Sequence, residues 1–271
     1  MKNLIVKLGG EVVASPEMDA IAEDVRGLVQ AGHRVSLVHG GGPQATALQK
    51  ALGQQTRMVA GRRYTDPETL EVMKYVIAGK VNVDLCAKLL AHGVLGVGLH
   101  GASGHAVQAK RRPPKVMAGA GPDPVDLGLV GDPTGFNLPL LGMLQEAGYV
   151  PVLACLGCDG SGQALNINGD TVASQLAAAL RVDALVLVTS TPGVLRDVAD
   201  PGSRVPRITR ADFERGVKDG SISGGMIPKL EESFDVLAGG AKSVVIVGKL
   251  GAGDLLRAVL EPGSAGTVLV G

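Results

Sequence analysis

Two glycine-rich turns, each following a short apolar run, have the composition of an anion-binding site. The first turn, Lys7-Leu8-Gly9-Gly10, follows the run Leu4–Val6, and the second, His39-Gly40-Gly41-Gly42, follows Val35–Val38. Glycine lets backbone N–H groups approach an anion closely, and a helix that starts at such a turn adds the positive end of its dipole. Pro43 suits the first position of a helix. The two turns therefore predict phosphate or anion contact beside the cation of Lys7.

A second group of polar residues precedes helical patterns in the later part of the chain. Asn166, Asn168 and Asp170 lie at the start of the helical run that ends at Leu180. Helix capping requires only one such side chain, so three of them favour a functional role. Lys229 follows the turn 224–225 in the first turn of another helical pattern, where a lone cation is unfavourable unless an anion also binds. These residues extend the predicted anion site.

Three other motifs do not support the chemistry that they resemble. Residues 96–101 match G-x-G-x-x-G, but the following residues favour a turn and a strand, whereas a dinucleotide site needs a helix there. Gly248-Lys249 lacks the glycine spacing and the hydroxyl residue of a P-loop. Cys155 and Cys158 form a C-x-x-C motif without a second ligand pair, and we interpret them as core and loop residues.

Composition excludes several classes of protein. The 271 residues carry no formal net charge, and 45% of them are apolar, which is enough for a large core. A neutral chain is not expected to bind nucleic acid by bulk electrostatics or a membrane by a polybasic patch. No apolar stretch reaches about 18 residues, and the N-terminus leads directly into a strand pattern. We therefore expect a cytoplasmic protein with no signal peptide and no membrane span.

Short apolar runs alternate with helical patterns along the chain. The predicted strands are Leu4–Leu8, Arg34–Val38, Val94–Leu99, Tyr149–Ala154, Ala184–Val188, Ser243–Val247 and Gly266–Val270. The predicted helices are Pro16–Ala31, Pro43–Leu52, Pro67–His92, Gly135–Ala147, Gly169–Leu180, Arg210–Val217, Met226–Ala238 and Ala252–Leu260. Only 2% of the residues are aromatic, so the core must consist of Val, Leu, Ala and Ile. This pattern predicts βαβ units around a mostly parallel sheet.

Two segments do not follow the alternation. Residues 103–132 and 56–66 are predicted to form hairpins or loops that project from the sheet and close over a site. The first of them contains the basic run 110–115, Lys-Arg-Arg-Pro-Pro-Lys. This run is either a solvated hairpin or a contact for an anionic substrate or carrier.

Together, these segments resemble the amino acid kinase family over essentially the whole chain. The family's landmarks occur in order: KLGG at 7–10, HGGG at 39–42, G-x-R-x-T at 61–65, L-N-I-N-G-D at 165–170 and G-G-M-I-x-K at 224–229. HGGG, the G-x-R-x-T turn and N-x-N-x-D narrow the resemblance to members that phosphorylate the side-chain carboxylate of an acylated amino acid. The resemblance implies a three-layer α/β/α fold with an open, mostly parallel sheet and two lobes. Residues 1–170 would bind the acylamino acid and dimerise, and residues 171–271 would bind ATP.

The activity that this resemblance implies is phosphoryl transfer from ATP to the γ-carboxylate of N-acetyl-L-glutamate, giving an acyl phosphate in arginine biosynthesis. A carboxylate is already ionised at neutral pH, so no general base is needed. Catalysis then depends on positioning and on neutralising charge at the transferring group. Mg²⁺ would bridge the phosphates, which hold it without a metal site made of protein side chains.

Roles for individual residues follow from matching them to the family pattern. Lys7 and Lys229 would flank the migrating phosphoryl group, and Asp170 would lie between the two ammonium groups. Backbone N–H groups of the glycine turns would contact phosphoryl or substrate oxygens; the residues concerned are Gly10, Gly41 and Gly42.

The resemblance also implies binding residues for both substrates. Arg63 would grip the α-carboxylate of the acylamino acid through its bidentate fork, and Asn166 would hold the other end. The segment 189–195 would border the nucleotide. The residues expected to bind ATP are Gly9, Gly10, Thr189, Ser190, Gly193, Leu195 and Met226.

Two departures from the family pattern leave alternatives open. Many relatives carry Asp where Ser190 stands, and the position before Arg63 is usually apolar but is here Arg62. The additional cation, together with the basic run 110–115, is compatible with a related kinase that phosphorylates aminoadipate attached to an acidic carrier protein. A non-catalytic amino-acid sensor on the same fold is a further alternative, although retention of Lys7, Asp170 and Lys229 disfavours it.

Assembly is the last expectation from the sequence. Arginine-inhibited relatives have an additional N-terminal helix that links dimers into a hexameric ring. Only three residues precede the strand at Leu4, too few for a stable helical turn. We therefore expect a homodimer, formed through helices such as Pro67–His92, that is not inhibited by arginine.

Overall fold

The computed structural model describes residues 1–117, 119–197, 199–222 and 226–271. Its strands are β1 Asn3–Leu8, β2 Arg34–His39, β3 Met58–Val59, β4 Arg62–Arg63, β5 Gly96–Leu99, β6 Val107–Arg111, β7 Gly131–Phe136, β8 Val150–Ala154, β9 Leu156–Cys158, β10 Ala164–Asn166, β11 Ala184–Thr189, β12 Arg207–Thr209, β13 Val244–Gly248 and β14 Thr267–Val270. Its α-helices are α1 Gly10–Val13, α2 Glu17–Gln30, α3 Gly42–Ala51, α4 Pro67–Met73, α5 Asn82–Ala91, α6 Leu138–Glu146, α7 Gly169–Leu180, α8 Arg210–Asp219, α9 Met226–Ala238 and α10 Asp254–Leu260. A π-helical segment covers Lys74–Val81, and a 3₁₀ turn covers Pro201–Ser203.

An eight-stranded sheet forms the centre of the molecule, in the order β12-β14-β13-β11-β1-β2-β8-β5. The six strands from β13 to β5 are mutually parallel, and β14 runs antiparallel to β13. All seven predicted strands belong to this sheet. Because parallel strands are buried on both faces, their sequences are continuous apolar runs, and this is why the sequence revealed them.

Helices cover both faces of the sheet, so the fold is the predicted three-layer α/β/α arrangement. On one face, Ile5 and Val38 share a core with residues of α7 and α9. On the other face, Leu4 and Leu37 pack in a second core with residues of α2 and α10. This alternation of neighbouring residues is the two-residue period of a strand.

The long predicted helix Pro67–His92 is continuous but changes its winding. Helix α4 starts with Pro67, and the Asp66 side chain accepts a hydrogen bond from the Thr69 N–H at 2.8 Å. The chain then widens into the π-helical segment, which contains Gly79, before α5 begins at Asn82. Such π-helical turns are frequent at functional sites.

A smaller sheet and a hairpin form separately from the central sheet. The smaller sheet has the order β10-β9-β6-β7, and β3 and β4 form the hairpin. The predicted helix Gly135–Ala147 is wrong at its start, because Gly135 and Phe136 pair with β6 as part of β7. The helix begins at Leu138, after Asn137 accepts a hydrogen bond from the Leu140 N–H. The segments 103–132 and 56–66 thus contain hairpin strands, as predicted.

None of the helices in the described ranges combines the length and the apolar character needed to cross a bilayer.

Candidate active site

The candidate site lies where β1 and β2 end, at the same edge of the sheet. The two strands pair in parallel, with Leu8 opposite His39, so both glycine turns begin side by side. Ligands of open α/β sheets bind at this edge, beyond the carboxyl ends of the strands. A cavity of about 290 Å³ opens there, and the predicted residues that line it are Lys7, Gly10, Gly41, Gly42, Arg63 and Asn166.

Close packing of the two turns explains why position 10 is a glycine. A Cβ atom on Gly10 would lie 3.1 Å from the Gly41 Cα and 2.9 Å from the Gln44 side-chain oxygen. The Gln44 amide also donates a hydrogen bond to the Gly10 carbonyl at 2.5 Å. No sequence pattern marks this supporting role of Gln44, because a single glutamine in a helix has no distinctive spacing.

An ion pair between Lys7 and Asp170 forms the charged centre of the site. The Lys7 Nζ lies 2.7 Å from an Asp170 carboxylate oxygen, and the Lys7 side chain is only 12% exposed. Asp170 is in the first turn of α7, where the Asn168 side chain accepts a hydrogen bond from its N–H at 3.0 Å. Burial opposes ionisation of Asp170, but the charges of Lys7 and Lys229 outweigh it and hold its pKa below the ordinary value.

Lys229 approaches the same carboxylate from α9. Burial lowers the pKa of Lys229, an effect that the Asp170 charge opposes and the Lys7 charge strengthens. Both ammonium groups therefore act on Asp170, although only Lys7 is within ion-pair distance of it among the described residues. Met226 begins α9 one turn before Lys229. Gly224 and Gly225 of the predicted motif lie outside the described residues.

Glu232 is a further charged residue near the site that the sequence analysis missed. Burial and the nearby charge of Asp170 raise its pKa, while a hydrogen bond from the Thr171 hydroxyl opposes this shift. Its position three residues after Lys229 places both on one face of α9. That spacing is the signal that would have identified it.

Arg63 is fixed by the start of α3. Its guanidinium donates to the Gly42 carbonyl at 3.1 Å, to the Thr46 hydroxyl at 2.7 Å and to the Gln49 side-chain oxygen. Burial lowers the pKa of this arginine. Arg63, the predicted carboxylate-binding residue, is thus hydrogen-bonded to the second glycine turn. Gln49, which also holds Arg63, is buried and was not predicted.

The predicted nucleotide residues lie mainly at the end of β11. Gly9 approaches this strand end, since a Cβ atom there would be 3.8 Å from the Val188 carbonyl oxygen. Thr189 pairs with Gly248, and Ser190 follows it. Gly193 has a φ of 147°, and a Cβ atom there would lie 2.7 Å from the Thr267 hydroxyl. The structure thus brings Gly9 close to this loop, but it does not place the loop in the first cavity.

A second cavity of about 370 Å³ adjoins the end of the segment 189–195. Leu195 lines it together with Ile208 and Ile222, and the charged residues Arg207 and Asp212 border it. Apolar and charged side chains thus share the lining of this cavity. The sequence analysis identified only Leu195 of this group.

The two motif cysteines are free thiols in different surroundings. Cys155 is buried and lines the first cavity, where burial raises its pKa to about 11. Cys158 belongs to β9, and burial raises its pKa as well. Within the described ranges, no three His, Cys, Asp or Glu side chains assemble as a metal site.

Fold and site together define an α/β protein with a Lys7–Asp170 ion pair beside two glycine-rich turns at the carboxyl edge of its parallel sheet. A sequence profile of the amino acid kinase family matches residues 2–248. The chain belongs to the amino acid kinase family.

Individual relatives narrow the comparison. An acetylglutamate kinase from Anaeromyxobacter dehalogenans is 78% identical over 269 residues, covering 99% of this chain and all of that protein. An acetylglutamate kinase from Sorangium cellulosum is 57% identical over 267 residues, covering 98% of this chain and 94% of that protein.

A solved structure supports the fold alone. The N-acetylglutamate synthase from Neisseria gonorrhoeae, complexed with coenzyme A and N-acetyl-glutamate, superposes with a TM-score of 0.83 at 22% identity. The match covers all of this chain and 59% of the synthase chain, so our chain spans about three fifths of that protein.

Proposed function

We propose that this protein transfers the γ-phosphoryl group of ATP to the γ-carboxylate of N-acetyl-L-glutamate. The observation that carries the proposal is the arrangement of Lys7, Asp170 and Lys229 beside a cavity bounded by two glycine turns. The choice of N-acetylglutamate as the acceptor follows from the acetylglutamate kinases at 57% and 78% identity, which match over nearly their whole length. In this reaction a carboxylate oxygen attacks the γ-phosphorus and the bond to the bridging oxygen breaks. The products are an acyl phosphate and ADP.

The roles of the charged residues follow from the chemistry of this step. Donor, migrating group and acceptor are all anionic, so catalysis requires positioned positive charge rather than a base. Lys7 and Lys229 supply that charge, and the Asp170 carboxylate offsets part of the repulsion between the two ammonium groups. Backbone N–H groups of Gly10, Gly41 and Gly42 add donors at the cavity wall.

Two further roles complete the proposal. Arg63 binds the α-carboxylate of the acceptor, and Asn166 binds its acylamino end, because both line the first cavity. Residues 189–195 and Met226 border the nucleotide, with its base in the second cavity. Residues 1–170 would thus form the acylamino-acid part and residues 171–271 the nucleotide part. Mg²⁺ fits this site as an ion held by phosphate oxygens and water, as is usual for nucleotide-bound magnesium.

Hydroxylamine trapping tests the reaction directly. Purified protein with ATP and Mg²⁺ is incubated with N-acetyl-L-glutamate, L-glutamate or L-2-aminoadipate, and any acyl phosphate is converted to a coloured hydroxamate. We expect product with the acetylated acceptor. Product with free glutamate and none with N-acetylglutamate would contradict the proposal. The relatives' names favour the acetylated acceptor over carrier-linked aminoadipate, and the aminoadipate sample addresses that alternative in part.

The proposal extends to assembly: the protein forms a homodimer through the outer face of the helix at residues 67–91. Large apolar side chains are exposed there, with Tyr75, Val83 and Leu90 each more than 60% exposed. Leu95 and Tyr149 continue this face beside β5, the last strand of the sheet. An apolar face of this kind suits a second copy related by a two-fold axis. Sedimentation should show a dimer that Leu90→Glu converts to a monomer; a wild-type monomer would contradict it.

The use of ATP and of a biosynthetic amino-acid derivative also favours the cytoplasm as the location of this protein.

A further inference from the structure

His39 and Asn82 form a buried hydrogen-bonded pair beside the second glycine turn. The His39 Nε2 lies 2.8 Å from the Asn82 side-chain nitrogen, and the His39 Nδ1 lies 2.9 Å from the Gly40 carbonyl oxygen. Neither side chain contacts solvent appreciably, since His39 is 0% and Asn82 6% exposed. Neither residue has a part in the reaction described above.

The surroundings of Asn82 determine the tautomer of His39. The Asn82 side-chain nitrogen also donates to the Val152 carbonyl oxygen at 3.1 Å. A carbonyl oxygen only accepts hydrogen bonds, so the atom facing it must be the amide nitrogen. That nitrogen uses its second hydrogen toward His39, whose Nε2 must then be unprotonated. The ring proton therefore resides on Nδ1 and is donated to Gly40. Burial also lowers the pKa of His39, which favours this neutral ring.

We infer that Asn82 and His39 are positioning residues that aim the Gly41 N–H at the transferring phosphoryl group. The inference rests on the proposed phosphoryl transfer. In a planar trans peptide, the carbonyl of Gly40 and the N–H of Gly41 point in opposite directions. Holding the carbonyl toward His39 therefore turns the Gly41 N–H away from it. In the described part of the chain, this N–H donates no hydrogen bond to another backbone group, and Gly41 lines the first cavity.

The helix that carries Asn82 also supports the turn by packing. A Cβ atom on Gly41 would lie 3.1 Å from Ile77 and 3.4 Å from Val81, so the turn rests directly on the π-helical segment. On the other side, a Cβ atom on Gly98 would lie 1.9 Å from the Asn82 side-chain oxygen. Gly98, the second glycine of the segment 96–101, is therefore required because the Asn82 amide occupies the space of a side chain there. Packing fixes the place of the turn, and the hydrogen bonds fix the direction of its peptide.

Substitution of His39 separates positioning from stability. The amide nitrogen of Asn can occupy the place of Nδ1 and still donate to Gly40, whereas that of Gln occupies the place of Nε2 and cannot. We expect kcat to fall less in His39→Asn than in His39→Gln. The kcat of His39→Asn should exceed that of His39→Gln by about tenfold or more. Values of KM for N-acetylglutamate should stay within about twofold. Asn82→Ala should also lower kcat at least about tenfold, because the ring loses its fixed tautomer.

A matched control lies on the same strand. Ser36 is buried and accepts a hydrogen bond from Gln145 at 3.0 Å, away from the glycine turn. Ser36→Ala should lose stability without losing kcat. If His39→Asn and His39→Gln lose kcat equally, or if kcat follows thermal stability across all four variants, the positioning role is wrong.

A nuclear magnetic resonance measurement tests the pair without any activity. Correlation of ring nitrogens with ring protons should show His39 in wild type protonated on Nδ1 only, and Asn82→Ala should mix the tautomers. Protonation on Nε2 in wild type would overturn the inference. Failure of wild type to form hydroxamate would contradict the proposed function instead, so the two failures are distinguishable.

Discussion

Asn166 donates a hydrogen bond from its amide to the hydroxyl oxygen of Thr65 at 3.1 Å, across a sequence separation of 101 residues. The Thr65 hydroxyl in turn donates to the Arg63 carbonyl at 3.3 Å. The Thr65 backbone is bonded to Leu127 and Leu129, at 2.9 and 2.6 Å, which fixes the threonine itself. Both proposed contacts of the acylamino acid are therefore connected through one buried hydroxyl. The threonine of the G-x-R-x-T turn thus sets the relative position of Arg63 and Asn166.

Thr65→Val tests this connection. Valine has nearly the same shape, so the main change is loss of the acceptor for Asn166. We expect KM for N-acetylglutamate to rise about five- to tenfold, as for one hydrogen bond worth about 1 kcal/mol. The value of kcat should change much less, because the contact lies away from the reacting carboxylate. Steady-state kinetics at saturating ATP measures both constants.

Thr65→Ser is the matched control, since it retains the hydroxyl and removes only a methyl group. Its KM should stay within about twofold of wild type. Equal KM increases for Ser and Val would show that packing, not the hydroxyl, is responsible.

Removal of either lysine should reduce the chemical step. Lys7→Ala and Lys229→Ala each delete a charge that acts mainly on the transition state, so we expect kcat to fall about 10²- to 10³-fold with little change in KM. Lys242→Ala is a suitable control, because this lysine pairs with Asp183 and its side chain is 73% exposed. Near-normal kcat in either site variant, measured by ADP release, would remove that lysine from the proposed mechanism.

Arg63→Ala should act chiefly on binding of the acceptor. The guanidinium is expected to hold a carboxylate that does not react, so KM for N-acetylglutamate should rise about tenfold or more. Arg257 lies on α10, pairs with Asp254 and has a side chain that is 59% exposed, so Arg257→Ala provides the control. An unchanged KM in Arg63→Ala, or an equal rise in Arg257→Ala, would contradict the assigned grip.

The sequence predicted the central sheet well but not the short strands. Buried parallel strands have continuous apolar runs, so β1, β2 and β11 were evident. Three-residue strands such as β9, β10 and β12 are too short for any periodicity, and their pairing depends on distant partners. The start of α6 was wrong for a related reason, because pairing with β6 keeps Gly135 extended.

The site was predictable where motifs mark it and not where single side chains support it. The glycine turns and Asp170 have distinctive spacing, and the structure places Asp170 beside Lys7. Gln49 and Asn82 are single polar residues in helices, and only the folded chain shows what they contact. Their importance comes from burial beside Arg63 and His39, which no local pattern encodes.

The dependence of stability on acid pH should reveal how much the ionised Lys7–Asp170 pair contributes to folding. The pKa of Asp170 is held below its ordinary value of 3.8 in the folded protein, so its ionisation favours folding. This contribution is complete above pH 3.8 and is lost as the pH falls through the lower folded-state pKa. Asp170→Asn should therefore be less stable than wild type near pH 7, by about 2 kcal/mol. Urea unfolding from pH 7 downward should show a constant difference in the free energy of unfolding between the two proteins, which shrinks only below about pH 4.

Asp84→Asn is the control for this prediction. It removes an exposed i,i+4 partner of Lys80, and its free energy of unfolding should differ little from that of wild type throughout. A difference for Asp170→Asn that stays constant through the acid range would mean that ionisation of Asp170 does not contribute to folding.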